Sequence, residues 1–160
     1  MRNVLFAALT ISVVPLIATN VVDAAAPADA CALLTKAEVD AAMGVSMGPA
    51  KALTASGKAC QWRQVVKQGA PDAIVDVTII EGRGYEMGKA AGSSGKIKIT
   101  TIGSLGDEAY SSEMNGGKMT ALRLKKGGTY VAVHVWGAGV PIAEIAPKEL
   151  AIAKVIAPKL

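Results

Sequence analysis

Alternation of apolar and polar positions is sharpest toward the C-terminal end of the chain. Thr129 to Trp136 sets Val131, Val133 and Val135 on one side and Tyr130, Ala132, His134 and Trp136 on the other. That is the period-two signature of a strand with one buried face. Lys118 to Lys125 repeats it, with Thr120, Leu122 and Leu124 against Met119, Ala121, Arg123 and Lys125. Asn115-Gly116-Gly117 and Gly127-Gly128 flank that strand as hairpin turns, because asparagine and glycine tolerate positive φ. Glu108 to Met114 is a further extended piece, after the tight turn Gly103 to Asp107. Lys96 to Ile102 alternates Ile97, Ile99 and Thr101 against Lys98 and Thr100. Ala73 to Ile80 buries Ala73, Val75, Val77 and Ile79 and turns Asp76 and Thr78 outward. Ala59 to Val66 carries Cys60, Trp62 and Gln64 on one side and Gln61, Arg63 and Val65 on the other.

Helical spacing appears in three places. Thr35 followed by Glu38 reads as a capping box, in which each side chain satisfies a backbone N–H of the first turn. Val39, Ala42 and Met43 continue that helix, and Gly44 stops it. At the other end, Pro147 suits a first helical turn, and Leu150, Ile152, Val155 and Ile156 follow at helical intervals until Pro158. Between them, Gly84, Gly88 and Gly92 recur every four residues. If Tyr85 to Ala91 is helical, the glycines form a smooth stripe, and each costs about 1 kcal/mol against alanine. The stripe makes sense if the helix lies very close to a sheet, or if the segment is a mobile loop; the close-packed helix is the preferred reading. Gly92-Ser93-Ser94-Gly95-Lys96-Ile97 is not a phosphate-cradling loop, since the earlier glycine and the Ser or Thr after the lysine are missing. Hairpins dominate the order of elements. The expected fold class is therefore α+β, a single antiparallel sheet with helices packed on one face.

Residues 1–24 read as a signal peptide: Met1-Arg2-Asn3, an apolar run from Val4 to Val22, and Val22-Asp23-Ala24, with cleavage after Ala24 or Ala25. A retained anchor is the competing reading, because the run is nearly long enough to span a bilayer. Pro15, Thr10, Ser12, Thr19 and Asn20 weaken it as a span. Residues 25–160 then form a single domain, periplasmic or secreted, with no stable membrane span after cleavage. Cys31 and Cys60 are the only cysteines. In an exported chain they imply an oxidising compartment, and their spacing is too wide for a C-x-x-C redox or metal motif. Asp29 is a poor approach to a lipidated cysteine, so Cys31 is read as the disulfide partner of Cys60.

The net charge is +4, and removing residues 1–24 leaves it unchanged, since Arg2 and Asp23 cancel. No basic cluster with interleaved aromatics accompanies it, so nucleic acid is not an expected partner. Aromatic residues make up only 4% of the chain, which implies a core of small aliphatic side chains.

His134 is the only histidine. As a functional group it is a metal ligand or general base; as an ordinary residue it is a partly exposed strand histidine with no carboxylate or second histidine fixed beside it by sequence. Met43, Met47, Met87, Met114 and Met119 suggest either soft-metal handling or core filling. Asp107 and Glu108 point to opposite faces of an extended chain and cannot share acid and base work. Ser93-Ser94 and Ser111-Ser112 lack a nucleophile-elbow context. The expectation is a binding or accessory module of the cell envelope without catalytic activity and without a cofactor. It would hold an envelope protein or a small apolar ligand on the sheet face that bears Arg123, Tyr130, His134 and Trp136. The alternative is a periplasmic metal-binding protein or small enzyme centred on His134.

Several of these residues resemble a group of small exported bacterial proteins and lipoproteins of unknown function. Cys31, Leu33, Leu34, Thr35 and Glu38 match an opening Cys-x-Leu-Leu-Thr-x-x-Glu, and Cys60 with Trp62 matches a later Cys-x-Trp. Ser104-Leu105-Gly106-Asp107-Glu108-Ala109 is similar to a Gly-Leu-Gly-Asp-x-Ala turn, with serine in place of the first glycine. The apolar residues from Leu150 to Leu160 are similar to a closing Leu-Ala-x-x-Val-x-x-x-Leu helix. The resemblance implies a Cys31–Cys60 pair and brings no catalytic residues. Many members are lipid-anchored, and this chain departs from them in lacking a lipobox.

Overall fold

The computed structural model describes Pro27 and residues 29–160; the expected signal segment and its cleavage site lie outside the described residues. The disulfide is formed: Cys31 and Cys60 are bonded, with Cα atoms 5.1 Å apart. Asp29 accepts the backbone N–H of Cys31 at 2.8 Å and caps a short 3-10 turn, Ala30–Leu33, that presents the cysteine. Helix α1, Lys36–Met43, follows at once. Thr35 and Glu38 form both halves of the capping box, and Gly44 ends the helix at φ 70°.

Seven strands make one antiparallel sheet: β1 Lys51–Ala52, β2 Ala59–Arg63, β3 Ile74–Ile80, β4 Lys98–Thr101, β5 Glu108–Met114, β6 Met119–Lys126 and β7 Thr129–Trp136. Their order across the sheet is β1-β2-β3-β7-β6-β5-β4. Two meanders, one of three strands and one of four, are joined because the last strand, β7, pairs along its whole useful length with β3, from Ile74↔Trp136 to Ile80↔Tyr130. The register makes Trp62, Val75, Val135, Val133 and Leu122 one continuous buried face. The core is assembled there under α1 and helix α3, Ile142–Ile156, whose Ile145, Ile152, Ala153 and Ile156 are buried.

The α+β class, the single antiparallel sheet and the single disulfide are all present. The one-face placement holds for α1 and α3 but not for α2, Gly82–Ala90, which lies on the opposite face. The connection from β3 must reach β4 at the far edge of the sheet, past β7, β6 and β5. With α3 covering one face, the crossing runs over the other. The glycine stripe permits it: a Cβ on Gly88 would stand 2.5 Å from the Tyr110 hydroxyl, and one on Gly92 would stand 2.4 Å from Ile99. Gly84, by contrast, faces open space, and Gly82 takes the third close contact, against the Tyr130 ring at 3.1 Å. The segment is thus a helix pressed on the sheet, continued by a 3-10 turn at Ala91–Ser94.

Helix α3 also begins earlier than the proline suggests. It starts at Ile142, and Pro147 lies inside it. Pro147 is the sixth residue of the helix, in its second turn, so it forgoes one helical hydrogen bond, and its ring crowds the carbonyl of Ala143; the buried apolar face of Ile145, Ile152, Ala153 and Ile156 carries the helix through it. At the turn resembling Gly-Leu-Gly-Asp, Ser104 adopts φ 59°, the left-handed conformation that glycine occupies without strain.

Candidate functional site

The sheet is not uniformly paired. β6 and β7 are in register from Lys126↔Thr129 only as far as Leu122↔Val133. β6 nonetheless continues to Met119 in full pairing with β5, and β7 continues to Trp136 in full pairing with β3. The two strands part company in the middle of the sheet. On the core side of this fork, the carboxyl of Glu149 from α3 accepts the Val135 backbone N–H at 3.1 Å, a donor that β6 leaves unused. On the other side, the fork opens into a pocket of about 360 Å³.

Thr120 and Ala121 from β6 and His134 from β7 line the pocket at the fork, and Gly88 and Ala91 of the overlying helical segment form its roof. Its apolar wall is Ile97 with the cross-strand pair Met114↔Met119. Two polar side chains enter from the side: Arg123 and Ser112, joined by a hydrogen bond from the Arg123 guanidinium to the Ser112 hydroxyl at 2.9 Å. The guanidinium lies 5.7 Å above the Tyr110 ring centroid, a cation–π arrangement that fixes its position. Tyr110 is itself held by donating its hydroxyl to the Tyr85 carbonyl at 2.8 Å. Arg123 makes no ion pair with a carboxylate among the described residues. The pocket therefore combines an apolar wall with one oriented, half-buried positive charge.

His134 stands across from Asp76 on β3 and stacks on Trp136, ring centroids 6.4 Å apart. Burial holds the imidazole below its ordinary value, Asp76 offsets this in part, and Arg123 lowers it further. It is neutral at pH 7 and offers one donor and one acceptor. Asp76 is already engaged twice: Trp136 donates its indole N–H at 2.7 Å and Gln61 its side-chain amide at 2.9 Å.

The four residues expected to form one binding face are thus divided. Arg123 and His134 line the pocket. Trp136 braces His134 from outside, tied to Asp76. Tyr130 packs against Tyr85 of α2 and beneath the Lys125 ammonium, away from the pocket lining. The methionines divide too: Met43 and Met47 are buried in the core, Met87 is exposed, and Met114 and Met119 face the pocket. No group of three or more His, Cys, Asp or Glu side chains that could hold a metal ion occurs among the described residues. Asp107 accepts the Gly127 N–H at 2.9 Å and clips a hairpin turn, while Glu108 pairs with Lys89 of α2. Neither faces the pocket.

Tyr110 and Asp76 do not stand out in the sequence as site residues, and Ser112 does so only as a nucleophile without an elbow, not as the partner of Arg123. For Asp76 the alternation of its strand already turned it to the right face; only the β3–β7 pairing sets it beside His134. For Ser112 and Tyr110, the alternation through Glu108–Met114 carried the same information.

No protein-family model, curated protein or solved structure matches this chain.

Proposed function

We propose that this chain is an exported, non-catalytic binding module of the cell envelope whose pocket at the β6–β7 fork holds a small, mainly apolar ligand. The observation that carries the reading is the concave, apolar pocket with Arg123, Ser112 and His134 converging on it. An apolar lining with a few placed polar groups is the common composition of small-molecule sites, and its volume falls near the lower end of their range of about 300–1,000 Å³. The Cys31–Cys60 bond supports an oxidising compartment. No helix among the described residues is long and apolar enough to cross a membrane.

Of the two occupants the sequence leaves open, the small ligand is favoured over a protein partner, because the polar groups converge inside a concavity instead of spreading over a flat face. The metal-carrier reading finds less support: among the described residues the acid beside His134 is Asp76, which already has two hydrogen-bond partners.

The test is to purify the protein from periplasmic extract under native conditions and analyse it by mass spectrometry for bound small molecules and for metal. Ala121→Phe fills the pocket floor and is expected to abolish retention of a small molecule without lowering the melting temperature by more than a few degrees. His134→Ala is expected to leave metal content unchanged. Equal retention by Ala121→Phe, or a metal lost with His134→Ala, overturns the reading.

A further inference from the structure

We infer that the ligand of this pocket is a free, single-chain carboxylic acid, bound with its carboxylate on Arg123 and its hydrocarbon along Met114, Met119 and Ile97. The inference rests on the pocket being a small-molecule site and adds the chemistry of its occupant.

The charge at the site is the first argument. Arg123 is half-buried, oriented by the Ser112 hydroxyl and the Tyr110 ring, and free of any carboxylate among the described residues. A guanidinium carries five donors in a planar fork that matches a carboxylate, and only one nitrogen is spent on Ser112. Ser112 accepts that bond and donates its own hydroxyl to the Ala121 carbonyl at 3.2 Å, so it steers the guanidinium and leaves the remaining guanidinium donors to a ligand. His134, held neutral at pH 7, adds a donor but no charge. A single positive charge calls for a single negative one. A doubly charged phosphate would place an uncompensated charge in a site walled by methionine and isoleucine, an environment that disfavours it.

Size is the second argument. At the ~30 Å³ that a water molecule occupies in the liquid, 360 Å³ holds about a dozen non-hydrogen atoms. That is the size of a medium-chain fatty acid and too small to take in both chains of a two-chain lipid. The two methionines suit a flexible alkyl chain, since thioether side chains adapt to irregular apolar shapes. Gly88 is the third element. A Cβ there would stand 3.2 Å from the Arg123 side-chain Nε and 2.5 Å from the Tyr110 hydroxyl. The helix thereby closes over the guanidinium and shields it from bulk water, where an ion pair would be weak.

The experiment is isothermal titration of the purified protein with decanoate, decanol and decyltrimethylammonium at pH 7, each below its micelle-forming concentration. Decanoate is expected to bind roughly tenfold to a hundredfold more tightly than decanol, as a hydrogen-bonded charge pair implies, and the cation not to bind. In Arg123→Gln the preference for decanoate over decanol is expected to vanish while decanol affinity persists; Arg123→Lys keeps part of the preference. Comparing the three probes on the unmodified protein requires no variant to fold. Decanol binding as tightly as decanoate, or a decanoate preference that survives Arg123→Gln, overturns the carboxylate assignment and leaves the small-molecule site standing. Failure of all three probes to bind overturns the assignment; if the native protein also carries no small molecule, the pocket reading falls with it.

Discussion

Glu149 accepts the backbone N–H of Val135 at 3.1 Å, at the point where β6 stops pairing with β7. This one contact couples α3 to the fork that creates the pocket. Glu149 is fully buried, and its second carboxylate oxygen has no hydrogen-bond partner. Burial pushes the carboxyl up to about 7, against the pull of the Val135 N–H, the Thr120 hydroxyl and Arg123.

The folded protein therefore holds a proton on Glu149 up to about pH 7, whereas the unfolded chain releases it near 4.5. Between those values the folded state binds more protons, so this group's contribution to stability falls as pH rises from about 4.5 to 7. At about 1.4 kcal/mol per pH unit, the loss is about 3 kcal/mol. His134 acts in the opposite sense, since its folded value lies below 6.5 and the stability linked to it is lost as pH falls through that region. Urea unfolding of the wild type and Glu149→Gln across pH 4 to 9 separates the two. The difference between the proteins should change by about 3 kcal/mol in favour of the glutamine variant as pH rises, and should be flat above about pH 8.

Gly84 and Gly88 sit one turn apart on α2 and should respond in opposite directions. Gly84→Ala meets nothing within 4 Å and should stabilise the protein by up to about 1 kcal/mol through helix propensity. Gly88→Ala brings a methyl into the Tyr110 hydroxyl and should destabilise by about 1–3 kcal/mol, lifting α2 from the sheet. Thermal and urea melts of both variants check this directly.

The disulfide closes a loop with a sequence separation of 29 between α1 and the Trp62 strand. Its loss should cost about 3–4 kcal/mol in the chain-entropy description. Urea midpoints with and without reductant, and in a Cys31→Ala/Cys60→Ala protein, should both move downward by a matching amount.

Glu38 links the start of the described chain to its end. Lys159 donates to its carboxylate at 2.8 Å, and the Thr35 N–H does so at 2.8 Å from within the capping box. The Lys159 bond first and the Thr35 bond second hold the Glu38 carboxyl down to about 2. A depressed carboxylate contributes stability that is present above about pH 4.5 and is lost as pH falls toward 2. Glu38→Gln should therefore be less stable than the wild type at neutral pH and lose less stability between about pH 4.5 and 2, as urea unfolding at a series of pH values would read. Thr35→Ala should cost about 1 kcal/mol at neutral pH through the lost cap.

Local rules made much of the fold readable. The Thr35/Glu38 box, the Gly44 stop, the hairpin at Asn115-Gly116-Gly117 and the valines of β7 are each settled by neighbours a few residues away, and all lie where the pattern puts them. The glycine spacing also carried a true message, that a helix touches a sheet, though Gly82 replaces Gly84 in the contact. What the pattern did not contain was long-range pairing. The β3–β7 register sets Asp76 opposite His134, and where β6 parts from β7 the Val135 N–H is taken by Glu149, a residue that follows β7 and reads as one more polar position on a helix. Pro147 misplaced the helix start because the burial of Ile145 ahead of it and of Ile152, Ala153 and Ile156 behind it, a tertiary effect, overrides the local preference of proline for the first turn. The site followed the same division: alternation put Arg123, Tyr130, His134 and Trp136 on one face correctly, and the crossing helix then covered Tyr130 and left Arg123 and His134 at the pocket.

The central claim is that the fork between β6 and β7 is a ligand site. The most direct measurement is an amide ¹H–¹⁵N correlation spectrum of the labelled protein, titrated with decanoate. The account predicts saturable shifts concentrated at Ser112, Thr120, Ala121, Arg123 and His134, with the core-facing residues of β2 and α1 unmoved. Shifts that are absent, or that spread over the surface without saturating, would contradict it.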